Sequence, residues 1–327
     1  MSNKLFLDKT APIKTILITG GTGFIGSHLA ESLAGKYNLI LFDNFRRNAF
    51  QHLGLSSKLP LELIEGDVLN IKSLRKAIKG VDIVIHLAAI AGVSSYEVNP
   101  LQTLEVDAWG TYHVLKIATE KKIKQVILFS SSEVYGPVAK DVTEESLTSQ
   151  GPATESRWSY GTGKLVGDHF AFAFSKMKKL NSTIVRPFNI YGPRQVGEGA
   201  IKIFVDQALK NKNITIRGNG AQTRTWCYVT DLVDAIISMI GNPKAYNQIF
   251  NIGNPKTLTT IEELGRKIVQ LTHSKSKILF KKENFVDVIY RSPDIQKARR
   301  ILKFEPRTNL VNGLKSTIAW FKTEHAK

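Results

Sequence analysis

The residues best suited to chemistry in this sequence are a tyrosine and a lysine four positions apart, Tyr160 and Lys164. At the start of a predicted helix, this spacing places both side chains on one helix face. A nearby ammonium stabilises a tyrosinate and lowers the tyrosine pKa, which gives a base able to take the proton of a hydroxyl. Such pairs also arise by chance on exposed helices, but a position after the fifth predicted strand favours a catalytic role.

A glycine-rich turn near the N-terminus predicts a dinucleotide site. The apolar strand TILIT runs directly into GGTGFIG, so glycines recur as G-x-x-G-x-x-G where a strand turns into a helix. Glycine permits the tight turn and the close approach of backbone to a pyrophosphate, while the helix N-terminus attracts negative charge. The predicted cofactor contacts at this turn are Gly20, Gly23, Phe24, Ile25 and Gly26.

The acidic residue at the end of the second predicted strand, Asp43, favours NAD. It follows the glycines by about 20 positions, where a carboxylate can accept hydrogen bonds from the adenosine ribose. Asp43 would repel the 2′-phosphate of NADP, although Arg46 and Arg47 could offset this in part. Asp67 would suit the adenine edge or, alternatively, cap a helix. The further predicted cofactor contacts are Asn44, Asp67, Val68, Leu87, Ala88, Ala89, Ser130, Tyr160, Lys164 and Pro187.

Alternation of short apolar runs with amphipathic stretches predicts an α/β fold with a doubly wound parallel sheet, a Rossmann fold, over about 190 residues. The predicted strands are Thr15 to Thr19, Leu39 to Phe42, Leu61 to Glu65, Asp82 to His86, Gln125 to Ser130 and Ser182 to Arg186. The predicted helices are Phe24 to Ala34, Leu69 to Ile78, Leu101 to Glu120 and Trp158 to Lys176. Residues 1–190 form the predicted cofactor domain.

Residues 191–327 form a predicted smaller α/β lobe that binds substrate, with some interleaving of the two parts. Its predicted helices are Ile201 to Lys210, Thr230 to Ile240 and Thr260 to Thr272, and its predicted strands are Ile214 to Arg217 and Ile249 to Ile252. Because no Ser- or Pro-rich linker intervenes, we expect the lobes to pack closely around a cleft.

The composition narrows the possible partners. A formal charge of +17 favours anionic ligands in general, but the lysines are scattered and lack an aromatic platform, so we expect no nucleic-acid partner. The single cysteine, Cys227, excludes an intrachain disulfide. No apolar run is long enough to cross a bilayer, and the opening residues lack the pattern of a secretion signal. We therefore expect a cytoplasmic protein without membrane insertion.

The motifs together resemble one family. TGGTGFIG, HLAA, SSSEVYG, Tyr160-x-x-x-Lys164 and RPFNIYGP occur in the order seen in extended short-chain dehydrogenases/reductases, the nucleotide-sugar epimerase and dehydratase group, and the resemblance covers almost the whole chain. One departure is Asp107 in EVDAWGT, where many relatives resemble NVxGT. We expect this change to alter a buried hydrogen bond behind the sheet.

The resemblance implies a role for each residue of the reaction centre. Ser131 would hydrogen-bond the C4 hydroxyl of the sugar and Tyr160 would remove its proton. Lys164 would also bind the nicotinamide ribose, and NAD would accept the hydride. The resulting 4-keto sugar acidifies the C5 hydrogen and can take electrons from a departing carboxylate, so the later chemistry depends on nearby side chains.

Glu133 and Arg291 favour one subgroup. Ser132 followed by Glu133 resembles UDP-glucuronate decarboxylases, since 4-epimerases usually carry a small residue in place of Glu133, and dehydratases often place an acid before it. Arg291 in RSPDI resembles the R-x-P-D-I segment of the decarboxylases, and its guanidinium suits a carboxylate or a phosphate. UDP-glucuronate decarboxylation is therefore the narrow prediction. UDP-sugar 4-epimerisation, dehydration, a structural role for Glu133 and a non-catalytic NAD-binding regulator remain alternatives.

The resemblance also implies which residues bind the nucleotide end of the substrate. The substrate is expected to be a UDP-sugar. Asn189 and Arg224 would hold the diphosphate, and Ile214 and Ile216 would flank the base. No metal site is predicted. The resemblance further implies a homodimer through the two long helices at Leu101 to Glu120 and Trp158 to Lys176.

Overall fold

The computed structural model describes residues 12–53, 60–282 and 287–326. Its strands are β1 (Thr15–Thr19), β2 (Asn38–Asp43), β3 (Leu61–Glu65), β4 (Ile83–His86), β5 (Gln125–Phe129), β6 (Val138–Val142), β7 (Ser182–Pro187), β8 (Ile190–Tyr191), β9 (Ile214–Arg217), β10 (Thr223–Arg224), β11 (Cys227–Tyr228), β12 (Gln248–Ile252), β13 (Thr259–Thr260), β14 (Ile278–Lys281) and β15 (Tyr290–Pro293). Its α-helices are α1 (Phe24–Leu33), α2 (Ile71–Ala77), α3 (Val93–Val98), α4 (Pro100–Leu104), α5 (Thr111–Glu120), α6 (Ser159–Lys178), α7 (Ala200–Leu209), α8 (Val229–Met239), α9 (Ile261–Thr272), α10 (Gln296–Leu302) and α11 (Leu310–His325).

A parallel sheet of seven strands occupies the centre of the molecule, in the order β3-β2-β1-β4-β5-β7-β12. The order reverses between β1 and β4, which is where ligands bind in doubly wound sheets. The α/β doubly wound prediction is confirmed. The sheet contains one more strand than predicted, because β12, predicted in the smaller lobe, pairs with β7 at the sheet edge.

Both faces of this sheet are buried, as the apolar strands predict. In β1, Ile16 and Ile18 pack with α1, α8 and α10 on one face. Leu17 points the other way and packs with α2, α5 and α6. This alternation follows from the two-residue period of a strand. Because helices cover both faces, ligands can reach the sheet at the carboxyl ends of its strands.

The smaller lobe has its own core, formed by α7, α9 and α11 around β9. A second sheet, β13-β10-β15-β6, lies beside the carboxyl ends of the central strands. It joins β6 from the first part of the chain to β10 and β15 from the second. The two parts therefore interlock, and a boundary at residue 190 stays a prediction.

The predicted helix Leu101 to Glu120 is divided in the structure. A π-helical turn, Glu105–Gly110, separates α4 from α5. Such turns widen the helix and are frequent at functional sites. Within the described ranges, no helix is long and apolar enough to cross a membrane.

Candidate active site

A cleft of about 340 Å³ runs over the carboxyl ends of β1, β2, β4, β5 and β7. It is the size of a small-ligand pocket. Every residue predicted to contact the cofactor lines it, namely Gly20, Gly23, Phe24, Ile25, Gly26, Asp43, Asn44, Asp67, Val68, Leu87, Ala88, Ala89, Ser130, Tyr160, Lys164 and Pro187.

The glycine turn leaves room for a dinucleotide backbone. Gly20 has φ +69°, in the left-handed region, and a Cβ atom there would lie 2.8 Å from the Ala88 amide nitrogen. Gly26 lies so close to the turn that a Cβ atom would come within 2.5 Å of the Gly20 carbonyl oxygen. α1 begins directly after this turn with no side-chain cap, so its first backbone N–H groups remain free for an anion. The residues present therefore fit a bound pyrophosphate.

Asp43 lies at the far end of the cleft, which Arg46 and Arg47 also line. Asp43 accepts hydrogen bonds from the backbone N–H groups of Thr22 (3.0 Å) and Phe45 (2.8 Å), which fix its carboxylate at the pocket wall. Arg47, which could have offset this charge, donates to the Ala91 carbonyl (2.6 Å) and pairs with Glu198 (3.4 Å). This arrangement suits ribose hydroxyls better than a phosphate.

Asp67 does not cap α2, because Asn70 is the N-cap. Its carboxylate accepts from the Leu69 N–H (2.8 Å) and the Asn44 amide (3.2 Å). The cap alternative for Asp67 is therefore wrong, and both residues remain at the pocket wall.

Ser131, Tyr160 and Lys164 converge at the other end of the cleft. The Lys164 ammonium donates to the Phe129 carbonyl at 2.9 Å and lies 5.9 Å from the centre of the Tyr160 ring. Burial raises the pKa of Tyr160, as does the charge of Asp107, while a hydrogen bond with Ser131 opposes them. The prediction of a lowered tyrosine pKa is wrong, because desolvation dominates and the Lys164 ammonium donates to the Phe129 carbonyl.

Glu133 is held between two guanidinium groups. Arg291 Nη1 donates to one carboxylate oxygen, and Arg157 Nη2 lies 2.9 Å from the other. Burial would raise the pKa of Glu133, but the charges of Arg291 and Arg157 outweigh it and lower the pKa to about 2. Glu133 is thus an anion at neutral pH and cannot act there as a general acid.

A second ion pair continues this cluster toward the smaller lobe. Arg224 Nη2 lies 3.3 Å from Asp287 and donates to the Val288 carbonyl at 2.5 Å. Arg224 and Arg291 are direct neighbours on β10 and β15, and Arg157 also lies 3.9 Å from Asp287. Three guanidinium groups thus face two carboxylates, which leaves a net positive charge.

The remaining predicted site residues take different positions. The Asn189 side chain donates to the Thr225 carbonyl at 2.8 Å, which places it beside Arg224. Ile214 and Ile216 are buried in the core of the smaller lobe, so their side chains cannot flank a base, and β9 can offer only its backbone. Ser132 is buried in the turn Ser132–Tyr135.

Sequence reasoning missed Arg157, Tyr96 and Asp287. The Arg157 guanidinium lies 5.3 Å from the centre of the Tyr96 ring, and that ring stacks on Tyr160 at 6.1 Å. Arg157 precedes Tyr160 by three positions, a spacing that could have placed it near the reaction centre. Nothing in the sequence near Asp287 or Tyr96 indicates their partners, because folding brings them from distant segments.

The model of the NAD dependent epimerase/dehydratase family matches residues 16–253. The chain belongs to this family. Among curated members, it is 36% identical over 320 residues to UDP-N-acetyl-alpha-D-glucosaminuronate decarboxylase of Bacillus cytotoxicus, covering 94% of this chain and 98% of that protein. It is 35% identical over 320 residues to UDP-glucuronic acid decarboxylase 1 of Xenopus tropicalis, covering 95% and 73%.

Solved structures similar to this chain include an epimerase and a dehydratase. The UDP-glucuronic acid 4-epimerase of Bacillus cereus, in complex with UDP-glucuronic acid and NAD, is 28% identical with a TM-score of 0.87, covering 95% of this chain and 99% of that one. The dTDP-glucose 4,6-dehydratase DesIV of Streptomyces venezuelae is 26% identical with a TM-score of 0.88, covering 95% and 98%. The fold is thus common to several reactions, and the side chains around Glu133 must distinguish them.

Proposed function

We propose that this protein is an NAD-dependent decarboxylase of a UDP-hexuronate, with UDP-glucuronate as the substrate, acting through a transient 4-keto sugar. The observation that carries the proposal is the position of Glu133, an anion held between Arg157 and Arg291 beside Ser131 and Tyr160. Curated relatives that span nearly all of this chain are named as decarboxylases of this substrate class, which supports the same reaction.

In this proposal Asp43 would hold the adenosine end of NAD, and Tyr160 and Lys164 would lie at its nicotinamide end. When bound, NAD supplies reversible acceptance of a hydride from C4 of the sugar. The first N–H groups of α1 hold the pyrophosphate, and Lys164 binds the nicotinamide ribose.

Tyr160 takes the proton of the C4 hydroxyl as the hydride leaves, and Ser131 orients that hydroxyl. Burial raises the pKa of Tyr160, so its phenol becomes a base only where a nearby positive charge stabilises the tyrosinate. A sugar hydroxyl bound within hydrogen-bond range of Tyr160 is placed for efficient proton transfer.

The 4-keto group lies β to the C6 carboxylate, so the bond to that carboxylate can break with its electrons moving to the C4 oxygen. Carbon dioxide leaves and C5 takes a proton from solvent. The pentose forms when C4 regains its hydride and the C4 oxygen regains its proton from Tyr160. The net positive charge near Arg157 and Arg291 favours an anionic sugar over a neutral hexose.

Dehydration is disfavoured by the same geometry. It requires a carboxyl group that can donate a proton to a departing hydroxyl, and a group with a pKa of about 2 holds no proton at neutral pH. Glu133 instead acts as a fixed negative charge that orients the two guanidinium groups.

Arg224 and Asn189 bind the diphosphate in this proposal. Both side chains have protein partners, Asp287 for Arg224 and the Thr225 carbonyl for Asn189. A diphosphate would replace Asp287 as the anion facing Arg224, with two parallel hydrogen bonds available from the guanidinium.

We also propose a cytoplasmic homodimer. The helices α4 and α6 present exposed apolar side chains, including Leu101 (67% exposed) and Phe172 (41%). Trp109 in the intervening π-helical turn is 55% exposed. Apolar surface of this kind marks an association site.

Product analysis tests the reaction. Purified protein and NAD are incubated separately with UDP-glucuronate, UDP-N-acetylglucosaminuronate, UDP-glucose and UDP-N-acetylglucosamine, and products are identified by mass spectrometry and proton NMR. We expect loss of carbon dioxide from UDP-glucuronate and no conversion of the neutral sugars. An isomer of unchanged mass would make this an epimerase, and loss of water would make it a dehydratase.

A further inference from the structure

Asp107 is a buried charged residue to which the proposed chemistry gives no role. It lies in the π-helical turn and is fully buried. One carboxylate oxygen accepts a hydrogen bond from the Ile90 N–H at 3.0 Å and lies 4.0 Å from the Lys164 ammonium. The other oxygen has no hydrogen-bond partner in the part of the chain that the structure describes. A carboxylate this deeply buried requires a compensating charge.

Two local features bring Asp107 to Lys164. The π-helical turn widens the helix at this point. Across from it on α6, Gly163 precedes the lysine, and a Cβ atom on this glycine would lie 2.9 Å from the Cβ of Asp107. Only glycine permits the helices to approach this closely, so the ion pair depends on both elements.

The other titratable groups around the pair contribute less than Asp107 to the charge of Lys164. Asp168 on α6 binds Arg186 through two hydrogen bonds of 3.1 and 2.9 Å. His86 on β4 stays neutral, because burial and the charge of Lys164 lower its pKa to about 3. The Tyr160 hydroxyl keeps its proton at neutral pH, since burial raises its pKa. Among the described residues, Asp107 is the carboxylate within ion-pair distance of Lys164.

We propose that Asp107 is a positioning residue that acts through Lys164, keeping the ammonium charged and fixed between its own carboxylate and the Phe129 carbonyl. The part of this inference that concerns cofactor binding rests on the proposed function. Burial raises the pKa of Asp107 to about 7, against the opposing charge of Lys164 and the Ile90 hydrogen bond. Burial lowers the pKa of Lys164, and the charge of Asp107, followed by that of Asp168, opposes this. Above neutral pH, Asp107 is therefore an anion that delays loss of the lysine proton.

A double-mutant cycle tests the coupling without reference to activity. Asp107→Asn keeps the shape and an oxygen for the Ile90 N–H but removes the charge, and Lys164→Met removes the cation. We expect Asp107→Asn to lower the urea midpoint of the wild type and to raise it in the Lys164→Met background. Equal changes in both backgrounds would overturn the proposal. If Asp107→Asn alone fails to fold while the double variant folds, the coupling is supported.

The pH dependence of NAD affinity tests positioning as distinct from stability. Calorimetric titrations from pH 6 to about pH 10 should show wild-type affinity falling as Lys164 loses its proton. In Asp107→Asn, this fall should move to lower pH by about one unit or more. The matched control Asp82→Asn removes the carboxylate of another ion pair, 3.1 Å from Lys124, and should leave the profile unchanged.

An identical profile in Asp107→Asn and the wild type would contradict a positioning role, even if the stabilities were coupled. Failure of the proposed function gives a different result. A protein that binds NAD with this pH dependence but does not convert UDP-glucuronate would contradict the decarboxylase and leave the Asp107 inference intact.

Discussion

Tyr160 is the residue whose proton must move in the proposed reaction. Replacing it with phenylalanine removes the base and leaves the ring that stacks on Tyr96. We expect Tyr160→Phe to lower turnover by about 10²- to 10⁴-fold, with NAD affinity nearly unchanged by calorimetry. Tyr246→Phe, outside the cleft, is the matched control. Full turnover in Tyr160→Phe would rule out Tyr160 as the base.

Ionisation of Glu133 should make the free energy of unfolding depend on pH in the acid range. Its folded-state pKa of about 2 lies below the ordinary 4.5, so its charge stabilises the fold fully above about pH 5, and this contribution is lost as the pH falls toward 2. Glu133→Gln leaves Arg157 and Arg291 buried beside a neutral group, which should cost about 3 kcal/mol or more at pH 7. Urea unfolding should show the difference from wild type shrinking between pH 5 and pH 3.

The control for Glu133→Gln is Glu120→Gln. Glu120 pairs with Arg75 on the surface, where such pairs contribute less than about 1 kcal/mol. A Glu133→Gln protein as stable as this control at pH 7 would show that the two guanidinium groups do not depend on Glu133.

At the level of elements, the turn between β1 and α1 needs a residue with a left-handed backbone conformation. The same residue must also lie close to the backbone that follows β4. Gly20→Ala introduces both backbone strain and a Cβ atom 2.8 Å from the Ala88 nitrogen. Gly35 has φ +79° but open space around it, so Gly35→Ala isolates the strain, at about 1 kcal/mol. We expect Gly20→Ala to cost about 1–3 kcal/mol more and to abolish NAD binding. Equal losses in the two variants, measured by urea unfolding, would refute this view of the turn.

The sequence predicts the elements that a strong period defines. The six strands and four helices of the first 190 residues lie within a few positions of their predicted bounds, because apolar runs and amphipathic stretches carry a clear signal. The two-residue strands β8, β10, β11 and β13 are too short to show a period. The apolar period also predicts β12 as a strand, but it does not indicate that β12 pairs with β7. For this reason the prediction that β12 lies in the smaller lobe is wrong.

The residues of the candidate site also fall into two groups, those that a predicted strand locates and those that only the folded structure brings together. The glycine turn, Asp43, Tyr160 and Lys164 are each identified by their place relative to a predicted strand. The arginine and carboxylate cluster is not, because its members come from distant segments, and the pairing of β15 with β6 and β10 brings Arg291 and Arg224 together. The pKa of Tyr160 also depends on burial, which spacing alone does not give.

At the scale of the whole molecule, the exposed apolar faces of α4 and α6 predict a dimer. Leu101→Glu places a charge on this surface and should convert the dimer to a monomer in size-exclusion chromatography with light scattering. Leu147→Glu, at a residue that is 92% exposed outside these helices, should leave the dimer intact. A wild type that is monomeric at micromolar concentration would refute the dimer.

The most direct test of the central claim is release of labelled carbon dioxide from UDP-glucuronate carrying ¹³C at C6, in the presence of NAD. Decarboxylation predicts ¹³CO₂ together with an unlabelled UDP-pentose, both abolished in Tyr160→Phe. Retention of all the label in a UDP-uronate isomer would contradict decarboxylation and make this protein a 4-epimerase.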